Sequence, residues 1–326
     1  MTPFKRVWMG MLFAVSSLAC VAPQGAQAAY PEKPIRLLIP FGAGGITDVA
    51  GRLIGQHLGE ALGQTIVIEN RPGAGGAIAS QFLMGAAPDG YTLMLGTVGT
   101  QVVNKMLYQR LNYEPSAMTP ISLLSNSPYV MAINGIDGVK DLPGLVTYAR
   151  ANPGKLNFGS AGNGSSPHLG LELFKLATQT DIVHIPFKSG AEAVNAAIGG
   201  QVQGVIDALP IIAPQAANGR LTMLAIAAAQ RNAAQPELRT SVEQGVEGFQ
   251  IGSWNALVAP PGMPADRVQV VSDAVAKAMA RPELLARLAE MGIEPMKTGV
   301  PAYRDHIAAE TDKWTRVIQA AGTRLD

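Results

Sequence analysis

Short apolar runs alternate with helical patterns along the first third of the chain. Each apolar run predicts a buried strand, and apolar positions at helical spacing from Val49 to Leu62 predict a helix that Gly63 ends. Helices are also predicted around Phe82 and Met106. The strands predicted here are residues 35–39, 65–69 and 92–95. Because parallel strands need helical crossovers, this βαβαβα order predicts a parallel, doubly wound α/β lobe.

A second α/β series follows a proline-rich passage, Pro115 to Pro128, that interrupts this rhythm. Its predicted strands are residues 129–133, 156–158, 182–185, 204–207 and 221–227, and its predicted helices are residues 142–151, 191–198 and 211–217. Residues 254–258 are predicted to cross back, and helices at 265–280, 283–291 and 301–320 to pack on the first lobe. We expect one lobe from residues 29–127 plus 256–326 and the other from 128–255, each with a mostly parallel sheet.

The N-terminus has the pattern of a secretory signal peptide. Lys5 and Arg6 precede an apolar run, residues 7–22, and small residues precede the expected cleavage near Ala28. We therefore predict a signal peptide over residues 1–28 and an exported mature chain. Cys20 is the only cysteine and lies inside this signal, so no disulfide is expected; lipid attachment at Cys20 is a weaker alternative. No later run reaches the roughly 18 apolar residues of a membrane span, so no stable membrane insertion is expected.

Composition and charge exclude several functional classes. Charged residues are 15% of the chain and the formal net charge is +1, so no basic surface for nucleic acid is predicted. The four histidines have no close metal-ligand spacing, and we predict neither a metal nor a cofactor.

Two glycine loops are the candidate functional elements. Residues 40–48, PFGAGGITD, join a predicted strand to a helix, and residues 159–167, GSAGNGSSP, do so in the other lobe, with Ser166 as the predicted N-cap. Uncovered backbone N–H groups at a helix N-terminus favour an anion, either a carboxylate or a phosphate. Neither loop matches a nucleotide-binding motif, and each also fits a simple tight turn.

Asp48, Ser165 and His168 lie near these loops and are candidates for a functional role. Asp48, four residues before Arg52, either accepts loop N–H groups or forms a surface ion pair. Ser165 and His168 are the pair on which a secreted serine hydrolase would depend, although no Gly-x-Ser-x-Gly motif is present. Trp254 and Trp314 are interpreted as core residues.

The order of motifs resembles the substrate receptors of tripartite tricarboxylate transporters, also called Bug proteins. The motifs are YPEKPIRLLIPFGAGGITD, VIENRPGAGG, PDGYTL, FGSAGNGSSPH, HIPFKSG and a C-terminal KW followed by AG. The resemblance covers the mature chain and implies a periplasmic, type II-like binding protein with two α/β lobes crossed twice by the chain. It also implies a small organic carboxylate as ligand, such as a di- or tricarboxylate, an acidic amino acid or an aromatic acid. It further implies a transporter permease in the membrane as partner, and no enzymatic activity. We expect a monomer; a sensor that presents its ligand to a membrane signalling protein is an alternative.

The resemblance also implies which residues contact the ligand, mostly through backbone groups and water. Carried over, these are Phe41, Gly42, Ala43, Gly44 and Gly45 in the first loop, Gly162, Gly164, Ser165 and His168 in the second, and additionally Asp48, Thr97, Thr100, Lys188 and Asp207. Departures from the family pattern leave the choice of carboxylate open. They are Phe187, Ser189, Gln203 and the pair Ala117–Met118.

Overall fold

The helices and strands follow the predicted order. The computed structural model describes residues 30–321, so the predicted signal peptide and Cys20 lie outside the described residues. The strands are β1 (Ile35–Ile39), β2 (Ile66–Asn70), β3 (Thr92–Gly96), β4 (Thr119–Ile133), β5 (Asn157–Ser160), β6 (Val183–Pro186), β7 (Gly204–Ala208), β8 (Thr222–Ile226), β9 (Gly252–Ala259) and β10 (Glu294–Pro295). The α-helices are α1 (Ile46–Leu62), α2 (Ala77–Met84), α3 (Asn104–Leu107), α4 (Leu142–Ala151), α5 (Ser166–Thr178), α6 (Gly190–Ile198), α7 (Leu209–Ala217), α8 (Ala265–Met279), α9 (Pro282–Glu290) and α10 (Val300–Ala321).

The predicted two-lobed α/β fold is confirmed, with a mixed rather than mostly parallel sheet. The strand order is β2-β1-β3-β9-β4-β7-β5-β6, with β8 and β10 paired to β4. Parallel pairs lie at the two ends, where β1 pairs with β2 and β3, and β5 pairs with β6 and β7. The middle is antiparallel, because β4 and β9 run in opposite directions as the chain passes between the lobes.

The interpretation of Pro115–Pro128 as an interruption is wrong. Residues 119–128 are the first part of β4, a 15-residue strand that continues from one lobe into the other. The strand tolerates its prolines because Pro120 lies beside a register shift against β9. Pro128 pairs with Gly252, the first residue of β9. Bulges and strand ends are the places where a missing N–H is least costly.

Two helix predictions have different outcomes. Gly63 ends α1 as predicted, in the left-handed conformation with φ 67°, and its N–H is donated to the carbonyl of Glu60. The α-helix predicted around Met106 begins instead as a π-helical turn, Gly99–Val103, followed by the short α3. Turns of this type are common near functional sites.

The C-terminal helix α10 is joined to the crossing strand β9 through two tryptophans. Trp254 on β9 and Trp314 on α10 are 3% and 0% exposed, so their interpretation as core residues is confirmed. Both indole Nε1–H groups donate to Oε2 of Glu310, each at 3.0 Å. One carboxylate thus satisfies two buried donors. No helix within residues 30–321 is both long and apolar enough to span a membrane.

Candidate functional site

The first glycine loop is held in place by Asp48. The Gly44 N–H donates to Oδ2 of Asp48 at 3.0 Å, and the same oxygen accepts from Nε of Arg52 at 3.0 Å. Nδ2 of Asn70 donates both to Oδ1 of Asp48 and to the carbonyl of Phe41. Burial raises the pKa of Asp48, but hydrogen bonds from Arg52, Gly44 and Asn70 hold it below its usual value. The structure therefore shows both contacts considered for Asp48: it supports the loop, and it forms an ion pair with Arg52 in which the Asp48 side chain is buried.

The second glycine loop has a different N-cap from the one predicted. Ser165, not Ser166, occupies the N-cap position of α5, and its Oγ donates to the carbonyl of Gly162 at 2.6 Å. A side chain of α5 still accepts a backbone N–H of the loop, because Nδ1 of His168 accepts the Gly164 N–H at 3.1 Å. Ser165 Oγ and His168 Nδ1 are thus each bonded to a backbone group of the loop. This is not the serine–histidine hydrogen bond that a hydrolase uses for activation.

His168 stacks on a second histidine beneath the loop. The rings of His168 and His184 are 4.1 Å apart, and Nε2 of His184 contacts Oγ of Ser160. Burial lowers the pKa of His168. Burial, together with the neighbouring His168, lowers the pKa of His184 to about 3. Both rings therefore stay uncharged at neutral pH, which lets His168 Nδ1 remain an acceptor.

We expect acid to destabilise the protein through His184. Between about pH 6.5 and pH 4 the unfolded chain protonates this histidine and the folded protein does not, so the free energy of unfolding falls by about 1.4 kcal/mol per pH unit. Asp207 acts in the opposite sense, because burial raises its pKa to about 7 and the folded protein retains a proton that the unfolded chain releases.

Urea unfolding of the wild type and of His184→Gln at a series of pH values isolates this effect. The contribution of Asp207 cancels in the difference, because this residue is present in both proteins. The stability advantage of the wild type should shrink as the pH falls. A constant difference between the two proteins would contradict the expectation.

The two loops meet at a cavity of about 20 Å³ between the lobes. Its walls come from both loops, from the starts of several helices and from the crossing strands. The lining residues are Phe41, Gly45, Ile46, Thr47, Tyr129, Ala161, Ser165, Ser166, Pro167, Gly190, Asp207 and Ser253. This volume holds about one water molecule, so a bound carboxylate requires the wall of the cavity to adjust locally.

Four helices begin at this cavity. Gly45 is the N-cap of α1, Ser165 that of α5, and Gly190 is the first residue of α6. Asp207 lies directly before Ala208, the N-cap of α7. Each helix N-terminus carries a partial positive charge, and together they favour an anion in the cavity. None of the described residues that line the cavity is lysine, arginine or histidine.

The predicted site residues divide into three groups by position. Phe41, Gly45, Ser165 and Asp207 line the cavity. The backbone of the loops around it contains Gly42, Ala43, Gly44, Gly162 and Gly164, supported by Asp48 and His168. The others lie elsewhere: Thr97 and Thr100 are buried and bonded to each other after β3, and the Lys188 side chain is exposed.

Sequence reasoning missed several wall residues. Tyr129 and Ser253 lie on the crossing strands, and Ser253 and Ser166 lie near the Tyr129 hydroxyl and lower its pKa against the effect of burial. These positions carry no local motif. Thr47, in contrast, stands inside the PFGAGGITD motif and was recognisable as the first turn of α1.

Three of the departures from the family pattern have structural partners outside the cavity wall. Ser189 Oγ accepts the Glu192 N–H as the N-cap of α6. Gln203 Oε1 accepts the Asn157 N–H and ties β5 to the start of β7. Buried Met118 accepts a hydrogen bond from Gln101 through its sulfur. If these positions determine which carboxylate binds, they therefore do so without contacting it.

The lobes also touch where glycines replace side chains. A Cβ on Gly75 of the first lobe would overlap the carbonyl oxygen of Asn163 in the second. A Cβ on Gly99 would lie 2.7 Å from the carbonyl oxygen of Gly164, and one on Gly42 would lie 3.0 Å from Cβ of Ser189. We call Gly42, Gly75 and Gly99 the closing glycines. Their missing side chains let the two backbones approach on both sides of the cavity.

The sequence and fold of the chain are similar to those of known proteins. A family model described as the tripartite tricarboxylate transporter family receptor matches residues 50–323. The structure of the periplasmic binding protein BugD is 29% identical, with a TM-score of 0.86 over 90% of this chain and 99% of that chain. Rpa4515 of R. palustris, solved with adipate, is 33% identical, with a TM-score of 0.86 over 91% and 100%. MatC (Rpa3494) from Rhodopseudomonas palustris, with bound malate, is 31% identical, with a TM-score of 0.84 over 89% and 100%.

Proposed function

The chain belongs to the tripartite tricarboxylate transporter receptor family, and from this premise we propose that it binds a small organic carboxylate between its lobes. The convergence of four helix N-termini on one buried cavity supports the proposal most directly. Backbone N–H groups and hydroxyls supply the donors there, in the absence of lysine, arginine or histidine from the described wall. The similar proteins solved with adipate and with malate support the same class of ligand.

The ligand carboxylate enters between the two loops in this proposal. Gly45 and Thr47 would offer donors from the first lobe, and Ser166 from the second. Residues 41–45 and 162–164 would place their backbone around the ligand carboxylate. Ordered water would bridge the gaps that direct hydrogen bonds do not span. Asp48 and His168 act by holding the two loops.

Ligand binding is coupled to closure of the lobes and to transport. We assign residues 29–127 with 256–326 to one lobe and 128–255 to the other, with β4 and β9 as the crossing strands between them. The family is one of periplasmic receptors, which supports export through the predicted signal peptide and delivery of the carboxylate by a monomeric protein to a membrane permease. The closed lobes are the form that the permease recognises.

Thermal unfolding of the mature chain with a panel of organic acids tests the proposal. An acid present at about 100 times its Kd raises the free energy of unfolding by about 2.7 kcal/mol, so the melting temperature should rise for at least one acid. The uncharged diamide of the same acid serves as the matched control and should have a much smaller effect. If no acid shifts the melting temperature, and mass spectrometry detects no co-purified carboxylate, the proposal is wrong.

A further inference from the structure

Asp207 is a buried carboxyl group on the wall of an anion-binding cavity. The residue is 1% exposed, and its Oδ1 accepts the Ala208 N–H at 2.7 Å. Oδ2 is fully buried and has no hydrogen-bond partner among residues 30–321. The carboxyl group lies against Gly190, where a Cβ would overlap Oδ2. A buried polar atom without a partner is costly, and this one is available to whatever enters the cavity.

An ionised Asp207 and an anionic ligand would repel each other in this enclosed space. No lysine, arginine or histidine among the described lining residues compensates such a pair. An ammonium group on the ligand would neutralise Asp207, but it would then face the positive ends of α1, α5, α6 and α7. A shared proton resolves both conflicts, because a neutral carboxyl group is a hydrogen-bond donor to a carboxylate.

We propose that Asp207 is protonated in the complex and donates a hydrogen bond from Oδ2 to the ligand carboxylate, so that one proton is taken up with each anion. This inference rests on the proposed function and narrows it. The ligand group beside Asp207 is an acceptor, which favours carboxylates without an amino group over amino acids. No covalent bond changes; the proton comes from solvent and returns there when the anion leaves.

Burial raises the pKa of Asp207 to about 7, so the required proton is half lost near neutrality. The other titratable and charged groups on the elements packed around it are Tyr129 on β4, His168, Glu172 and Lys175 on α5, His184 on β6, Lys188 and Glu192 at the start of α6, and Asp48 on α1. Burial raises the pKa of Tyr129 and lowers the pKa values of both histidines. Hydrogen bonds hold the pKa of Asp48 down. Asp207 is therefore the cavity group that titrates near pH 7.

Calorimetric titration of the mature chain with adipate and with malate, from about pH 6 to about pH 9, tests the inference. Both acids are almost fully ionised above about pH 7, where the fall in affinity is expected, so that fall reports on the protein. We expect the affinity to fall about tenfold per pH unit above the pKa of Asp207. Repeating the titration in buffers of different ionisation enthalpy should show uptake of up to one proton per anion.

Asp207→Asn is the matched variant, because the amide keeps the shape of the side chain and always has N–H groups to donate. We expect it to bind the same acid with an affinity that does not change with pH, and to equal or exceed the wild type at about pH 9. An affinity that rises with pH in the wild type would overturn the inference. So would an Asp207→Asn variant with the wild-type pH dependence.

Infrared spectroscopy separates failure of this inference from failure of the proposed function. A protonated carboxyl band that is present with bound anion and absent in Asp207→Asn would support the inference. If an acid binds and this band is missing, the inference is wrong and the receptor function stands. If no acid from the wider panel binds, both are wrong.

Discussion

An alanine at position 75 should weaken carboxylate binding by about 5- to 150-fold. Gly75 belongs to the first lobe, and a Cβ there would overlap the Asn163 carbonyl of the second lobe when the two are closed. Relieving such an overlap typically costs about 1–3 kcal/mol, which converts to this loss of affinity if only the closed form holds the ligand tightly. The open form has no such contact to lose.

Gly63→Ala is the matched control for this variant. Gly63 and Gly75 both have left-handed backbone, with φ 67° and 59°, but a Cβ on Gly63 would meet no atom within 4 Å. Both variants should lose about 1–2 kcal/mol of unfolding free energy from backbone strain. Calorimetry with the acid found in the thermal screen should show weaker binding only for Gly75→Ala. Equal affinities for the two variants would exclude Gly75 as a determinant of closure.

Of the substitutions proposed for this protein, Trp314→Ala should cause the largest fall in the free energy of unfolding. The Trp314 indole is 0% exposed, and its Nε1–H is bonded to Glu310, which also accepts from Trp254. Replacing a buried tryptophan by alanine typically costs about 3–5 kcal/mol, because apolar contacts are lost and a cavity remains. Urea unfolding of Trp314→Ala, compared with the wild type at the same pH, measures the loss.

Trp314→Phe separates packing from hydrogen bonding at this position. Phenylalanine keeps most of the buried apolar area and removes the N–H donor, while Glu310 keeps Trp254 as a partner. We expect a loss of about 1–2 kcal/mol for this variant. If alanine costs no more than phenylalanine, the stabilisation would come from the hydrogen bond and the packing argument would fail.

The local parts of the candidate site were readable from the residues in order. Residues 35–48 carry an apolar strand, a glycine loop and a helix start as neighbours in sequence, so their anion-binding character follows from short-range geometry. The support of that loop by Asp48 follows in the same way, because Asp48 lies four residues after Gly44. Ser166 shows the limit of such local arguments. The sequence predicted it as the N-cap of α5, but Ser165 occupies that position and His168 accepts the loop N–H.

The sequence by itself determined the α/β class, the two lobes and the two glycine loops, because apolar periodicity and helix-start signals act over a few residues. The resemblance implied Asp207 as a ligand contact, but only the tertiary structure shows how side chains from distant strands come to share one cavity wall. Asp207 reaches its wall because β7 pairs with β4, with Val130 opposite Asp207. Ser253 reaches the Tyr129 hydroxyl because β9 lies alongside the same strand. Such pairings depend on strand register between distant segments, which no local pattern specifies.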